Sequence, residues 1–165
     1  MKPLGIRNNN PLNIRFSPMN NWKGQNGCNQ GFCTFDTMEH GYRAALILLR
    51  NYVKRGYDTI SEIISRWAPE SENNVKAYIG AVLTHFNGYS DTDYRNLTAS
   101  TQLPKDDSDA LLSYLEELAW IMSLVETGYL QRVRLRQRYL HLSDWDDELT
   151  QLHNSLIAAV KSLSC

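Results

Sequence analysis

Gly31-Phe32-Cys33-Thr34-Phe35-Asp36-Thr37-Met38-Glu39 is the stretch in which the hydrophobic period of this chain changes. Up to Phe35, apolar and polar residues alternate, the pattern of a half-buried strand. From Asp36 the spacing is helical, and Met38, Tyr42, Ala45, Leu46, Leu49 and Val53 fall on one stripe at three- and four-residue intervals. Asp36 reads as the helix N-cap, with Glu39 three residues on to complete a capping box, and Gly56 as the stop. The chain thus divides into a strand-like beginning and a helical remainder.

Residues 1–35 hold seven Gly or Pro (Pro3, Gly5, Pro11, Pro18, Gly24, Gly27, Gly31) and a cluster of Asn, with short apolar pieces between. Leu12-Asn13-Ile14-Arg15-Phe16 alternates at period two and predicts a strand, as does residues 31–35, with turns in the Asn/Gly-rich stretch between. Downstream, Thr59-Ile60-Ser61-Glu62 opens a second helix that stops near Trp67-Ala68-Pro69. A third is expected from Glu72 to Phe86, ending at Asn87-Gly88, with Val75, Tyr78, Ile79, Val82, Leu83 and Phe86 inward. The polar stretch 87–107 reads as a loop. The longest helix is expected from Asp107 to Glu126, and a last one from about Ser143 to Leu163, with Trp145, Leu149, Leu152, Leu156, Ile157 and Val160 inward. The expected class is α+β, mainly α-helical: one domain over residues 1–165, with a β-rich lobe at 1–35 and a helical lobe at 36–165.

Composition narrows the function classes. Hydrophobic residues make up 42% and charged ones 21%, which suits a globular core rather than a disordered chain. Seventeen Lys and Arg against 18 Asp and Glu leave a formal charge of -1, which argues against a dedicated nucleic-acid binder. No apolar run approaches bilayer length, so no membrane insertion is expected. The first residues lack the apolar segment of a secretory signal, so action outside the cytoplasm would need another route. Cys28 and Cys33 either close a small loop in an oxidising compartment or stay free thiols in a reducing one. His40, His85, His141 and His153 are scattered without metal-ligand spacing, and no metal or cofactor is expected.

Glu126 is the residue with the most chemical content. Leu115, Ala119 and Met122 form an apolar stripe on which Glu126 is the next position, and Gly128 sits where a helix C-terminal glycine belongs. Burial and the negative end of the helix dipole both disfavour an ionised carboxyl there. A carboxyl kept protonated near neutral pH is what a general acid for glycosidic oxygen requires. The bland alternative is an acid that frays outward at the helix end. Glu116 and Glu117, in mid-helix, read as an ordinary solvated face.

Ile121-Met122-Ser123-Leu124-Val125-Glu126-Thr127-Gly128-Tyr129 resembles the glutamate helix of the lysozyme-like superfamily, which includes muramidases and lytic transglycosylases. Asn8-Asn9-Asn10-Pro11-Leu12-Asn13-Ile14-Arg15, then Asn21-Trp22-Lys23-Gly24-Gln25 and Phe32-Cys33-Thr34-Phe35, resembles the cleft-lining strands and turn of flagellum-type glucosaminidases. Ile63 to Pro69 and Tyr78-Ile79 continue that pattern. The chain is also similar to phage-borne and secretion-associated proteins with an Arg-Asn-Asn-Asn-Pro beginning. In lysozymes the glutamate helix precedes the sheet lobe; here it follows, which implies a circularly permuted order of a lysozyme-like bundle.

The resemblance implies cleavage of peptidoglycan glycan strands, with Glu126 as general acid. Asp36 and Glu39 are the nearest candidates for a second carboxylate, against a competing role as helix N-terminal residues. A lytic transglycosylase needs only one glutamate, so hydrolase and transglycosylase both stay open. Asn10, Asn13, Trp22, Gln25 and Tyr78 are the candidate substrate-binding residues. Arg132, Arg134, Arg136 and Arg138 form an alternating basic run suited either to cell-wall anions or to a solvated face. The resemblance further implies action in the periplasm or cell wall after release through a pore or injection. In the injected case a cognate immunity protein is an expected partner. The competing class is a catalytically inactive lysozyme-like binding module or virion component.

Overall fold

A computed structural model of the protein describes residues 1–69, 74–89, 96–131 and 146–164. The elements, in chain order, are α1 (Leu4–Arg7), β1 (Gln25–Asn29), β2 (Phe32–Phe35), α2 (Met38–Lys54), α3 (Ile60–Trp67), α4 (Val75–Tyr89), α5 (Ser108–Thr127) and α6 (Asp147–Leu163). The class is α+β and mainly helical, with one two-stranded antiparallel sheet.

Helix α5 is the axis of the fold. Leu111, Leu115, Leu118, Ala119, Trp120, Ile121, Met122, Ser123 and Leu124 are all buried, so the helix is enclosed on nearly every side. It packs against α1, α2, α4 and α6, while α2 lies along α6. Asp107 caps its start by accepting from the Ala110 N–H at 3.0 Å. Gly128 ends it in the left-handed conformation, φ 75°, which a side chain would strain. Inside the core, Tyr42 of α2 donates to Ser123 Oγ (2.8 Å), which donates to the Trp120 carbonyl (2.7 Å). Burial pushes the Tyr42 hydroxyl far above its ordinary range, so it stays a neutral donor.

The small sheet is a hairpin with Gln30 and Gly31 at its tip, both at positive φ, as a two-residue turn requires. Leu12 and Ile14 are buried as the alternation predicts, but Phe16 is exposed and residues 12–16 do not form a strand. They lie along the outer edge of β2, joined by Cys33 N–H to the Ile14 carbonyl (2.9 Å), Phe16 N–H to the Gly31 carbonyl (2.8 Å) and one bridge, Arg15 to Phe32. The second strand is instead Gln25–Asn29, polar enough to read as turns from the sequence. Cys28 faces Cys33 across the hairpin, and both thiols are free.

The cap of α2 also differs from expectation. Thr37, not Asp36, is the N-cap, its Oγ1 accepting from the His40 N–H at 3.2 Å. Asp36 instead accepts from Asn26 Nδ2 (2.9 Å), which ties the hairpin to the start of the helix. Thr59 caps α3 as read, accepting from the Glu62 N–H and donating to Glu62 Oε1. Helix α4 continues past Asn87-Gly88 to Tyr89, and its expected first residue, Glu72, lies outside the described residues. Trp145 and the basic run at 132, 134, 136 and 138 lie outside them too. Among the described residues no helix is long and apolar enough to cross a membrane.

Candidate active site

The Asn-rich segment is a knot of backbone strapping laid over α2 and α5. Asn9 and Asn13 both adopt positive φ (52° and 53°), which Asn tolerates better than other non-glycine residues. Asn10 is fully buried. Its Nδ2 donates to the carbonyls of Ile14 (2.9 Å) and Cys33 (3.0 Å), and its Oδ1 accepts from the Ile14 N–H (2.9 Å). Asn9 Nδ2 donates to the Phe35 carbonyl (3.0 Å), and Asn8 Oδ1 accepts from Asn29 Nδ2 (3.0 Å). Gly41 of α2 permits the close approach: a Cβ there would stand 2.0 Å from the Asn9 carbonyl oxygen. From the other side, Trp67 Nε1 donates to the Leu12 carbonyl at 3.0 Å.

This strapping delivers Asn13 to the end of α5. Asn13 Nδ2 donates to the Glu126 carbonyl oxygen (3.2 Å) and to Glu126 Oε1 (3.3 Å), across 113 residues of sequence. Tyr78, buried on α4, approaches the same carboxylate. Burial first, then the charge and hydrogen bonding of Glu126, hold its phenol well above the ordinary range, so Tyr78 presents a neutral hydroxyl. That hydroxyl also lies 3.5 Å from the Met122 carbonyl. Glu126 itself is only partly buried, as an acid opening onto solvent must be.

Glu126 lines a groove of about 530 Å³. Asn13, Ile14, Arg15, Asn20 and Phe32 form the wall from the N-terminal segment, and Leu48, Tyr52, Arg66, Trp67 and Pro69 the wall from α2 and α3. Among the described residues lining it, Glu126 is the sole carboxylate. Asn13 and Glu126 are therefore brought together at the groove. The other candidates are not among its walls. Asn10 is an internal strap with its amide engaged by backbone. Gln25 accepts from the Trp22 N–H (3.1 Å), and the two close their own turn. Tyr78 is buried, does not line the groove, and has its hydroxyl at the Met122 carbonyl, near Glu126. Asp36 and Glu39 are exposed at the start of α2, away from the groove lining.

Asn20 and Tyr52 are groove residues that the sequence did not single out, whereas Arg15, Arg66 and Trp67 lie within the stretches that resemble the cleft-lining pattern, without a role assigned to any of them there. Glu116 and Glu117 are not on a fully solvated face. Glu117 Oε2 lies 2.9 Å from Nε2 of buried His85, and half-burial, then neighbouring Glu117, raise the Glu116 carboxyl above its ordinary value. Among the described residues no cluster of His, Cys, Asp and Glu gathers that could hold a metal.

Fold and groove together define a mainly helical α+β protein with one acid at the end of a central helix, opposed by an Asn-rich wall. No family model matches the chain. It is similar to Protein P5 of Pseudoalteromonas phage PM2, 45% identical over 83 residues, a match covering 47% of this chain and 52% of the phage protein. The chain spans about half the length of that relative.

Proposed function

We propose that the protein cleaves the glycan backbone of peptidoglycan within a lysozyme-like groove of permuted order, using Glu126 as its one acid–base group. The observation that carries this is the placement of Glu126: it ends a buried helix, accepts from Asn13, lies near the buried Tyr78 hydroxyl, and opens into a groove with no second carboxylate among its described lining residues. A double-displacement or inverting hydrolase needs two carboxylates flanking the bond. One acid among the described lining residues fits the transglycosylase outcome. In it, the Glu126 carboxyl gives its proton to the glycosidic oxygen as the bond to the anomeric carbon breaks. The resulting carboxylate then takes the proton of the substrate's own 6-hydroxyl as that oxygen attacks the anomeric carbon. The product is an anhydro-sugar end, and the carboxyl is regenerated without water entering the balance.

The groove residues fit glycan chemistry. Trp67 and Tyr52 offer aromatic faces and Asn20 an amide suited to hydroxyl and N-acetyl groups, while the Asn13 amide is engaged by Glu126. Zymography on purified peptidoglycan, comparing wild type with Glu126→Gln, tests the assignment. Clearing by wild type and none by the variant is expected; equal clearing by both removes Glu126 from the chemistry. A wild type that binds the wall without clearing it would point to a binding module.

A further inference from the structure

We infer that Arg66 makes the groove selective for anionic glycan strands, by pairing with a carboxylate carried on the sugar or its peptide. This rests on the glycan-cleavage reading and names the substrate feature it selects. Arg66 leaves the last turn of α3, is exposed, and lines the same groove as Glu126. Its guanidinium lies 4.4 Å from the centroid of the Tyr57 ring and 5.4 Å from that of Tyr52. Two aromatic neighbours thus hold the plane of a side chain that otherwise loses considerable rotamer freedom on binding. Among the described residues no carboxylate lies within ion-pair distance of Arg66. Among the described residues the cation is flanked by aromatic rings and met by no carboxylate, the arrangement of a guanidinium preorganised for an incoming anion.

A second guanidinium lines the same groove, Arg15, 5.0 Å over the Phe32 ring on the opposite wall. With the Glu126 carboxyl protonated for its role as acid, Arg66 meets no anion among the described lining residues. Cell-wall glycan carries carboxylates on its lactyl groups or peptide stems, whereas a chitin oligomer of equal length carries none. The groove therefore favours the former by charge, and Arg66 is its specificity-determining residue.

The test measures binding in the Glu126→Gln background, so that no cleavage intervenes. The probes are peptide-free glycan strands with ionised lactyl carboxylates and chitin oligomers of matched length. The parent is expected to prefer the charged strands, and Arg66→Gln to shrink that preference about tenfold, the effect of losing one partly exposed charge-assisted hydrogen bond. Arg66→Lys keeps the charge but not the planar stack and should fall between. Raising salt should erode the preference of the parent more than that of Arg66→Gln. Equal affinity of the parent for both strands, or an unchanged preference in Arg66→Gln, overturns the role of Arg66 and leaves the cleavage reading standing. Binding of neither strand overturns both.

Discussion

Replacing Asn10 by Ala tests whether the Asn-rich segment is scaffold or sugar ligand. Asn10 is fully buried, and the substitution strands the Ile14 carbonyl, the Cys33 carbonyl and the Ile14 N–H, each now bonded to its amide at 2.9 to 3.0 Å. A buried backbone group left without a partner costs about 1–3 kcal/mol. Taking the low end for each, because the shortened side chain leaves room for water, gives a loss of about 3 kcal/mol. For a chain of this size that corresponds to a fall in melting temperature of roughly 6–12 °C. Thermal unfolding followed by circular dichroism reads the fall directly. Turnover measured well below the melting point reads any separate effect on substrate affinity. The scaffold role predicts a large loss of stability with KM little changed in the folded fraction. A melting temperature within about 1 °C of wild type, accompanied by a raised KM, would refute it and return Asn10 to the substrate.

Two further outcomes follow from the environments of single groups. Tyr78→Phe removes a donor to the Glu126 carboxylate, so the basic limb of the rate–pH profile should move to higher pH by about one unit, the order expected for one hydrogen bond to a charged group; an unmoved limb would mean that the hydroxyl serves only the Met122 carbonyl. His153 is held below its ordinary value of 6.5, chiefly by burial, with Glu117 opposing. Its folded state therefore favours the neutral ring. The associated stability is present above 6.5 and is lost as pH falls through that value toward the lower folded one. His153→Phe, which keeps the edge contact with Trp120, should show a shallower decline of melting temperature between about pH 7 and 5 than wild type. A parallel decline would assign the acid sensitivity to other groups.

Helices α2, α3 and α5 were legible from sequence to within about two residues, whereas α6 was expected from about Ser143 and starts at Asp147, and α4 was expected to end at Phe86 and runs to Tyr89. The longest was expected over 107–126 and spans Ser108–Thr127, because Asp107 and Gly128 punctuate it with chemistry that has little alternative use. The α2 cap was misplaced by one residue because Asp36 and Thr37 are both good caps, and the choice between them depends on Asn26, ten residues away. In the N-terminal segment, alternation reported the burial of Leu12 and Ile14 but not the exposure of Phe16, nor the pairing, since one bridge forms there. The four-residue helix α1 is too short to show a period. The groove was half legible. Glu126 could be found because an acid on an apolar stripe is anomalous. The asparagines could not be sorted by role, since a buried strap and a groove amide look alike until the backbone is folded. Arg66 lay within the Ile63 to Pro69 stretch, but its role could not be read there, because it depends on Tyr52 and Tyr57 sharing one side of it.

The most direct test of the central claim is mass analysis of the fragments released from purified peptidoglycan by wild type and by Glu126→Gln. The account predicts anhydro-ended fragments, one water lighter than hydrolysis products, from wild type and a loss of at least about a thousandfold in the variant. Fragments released by Glu126→Gln at the wild-type rate would contradict it.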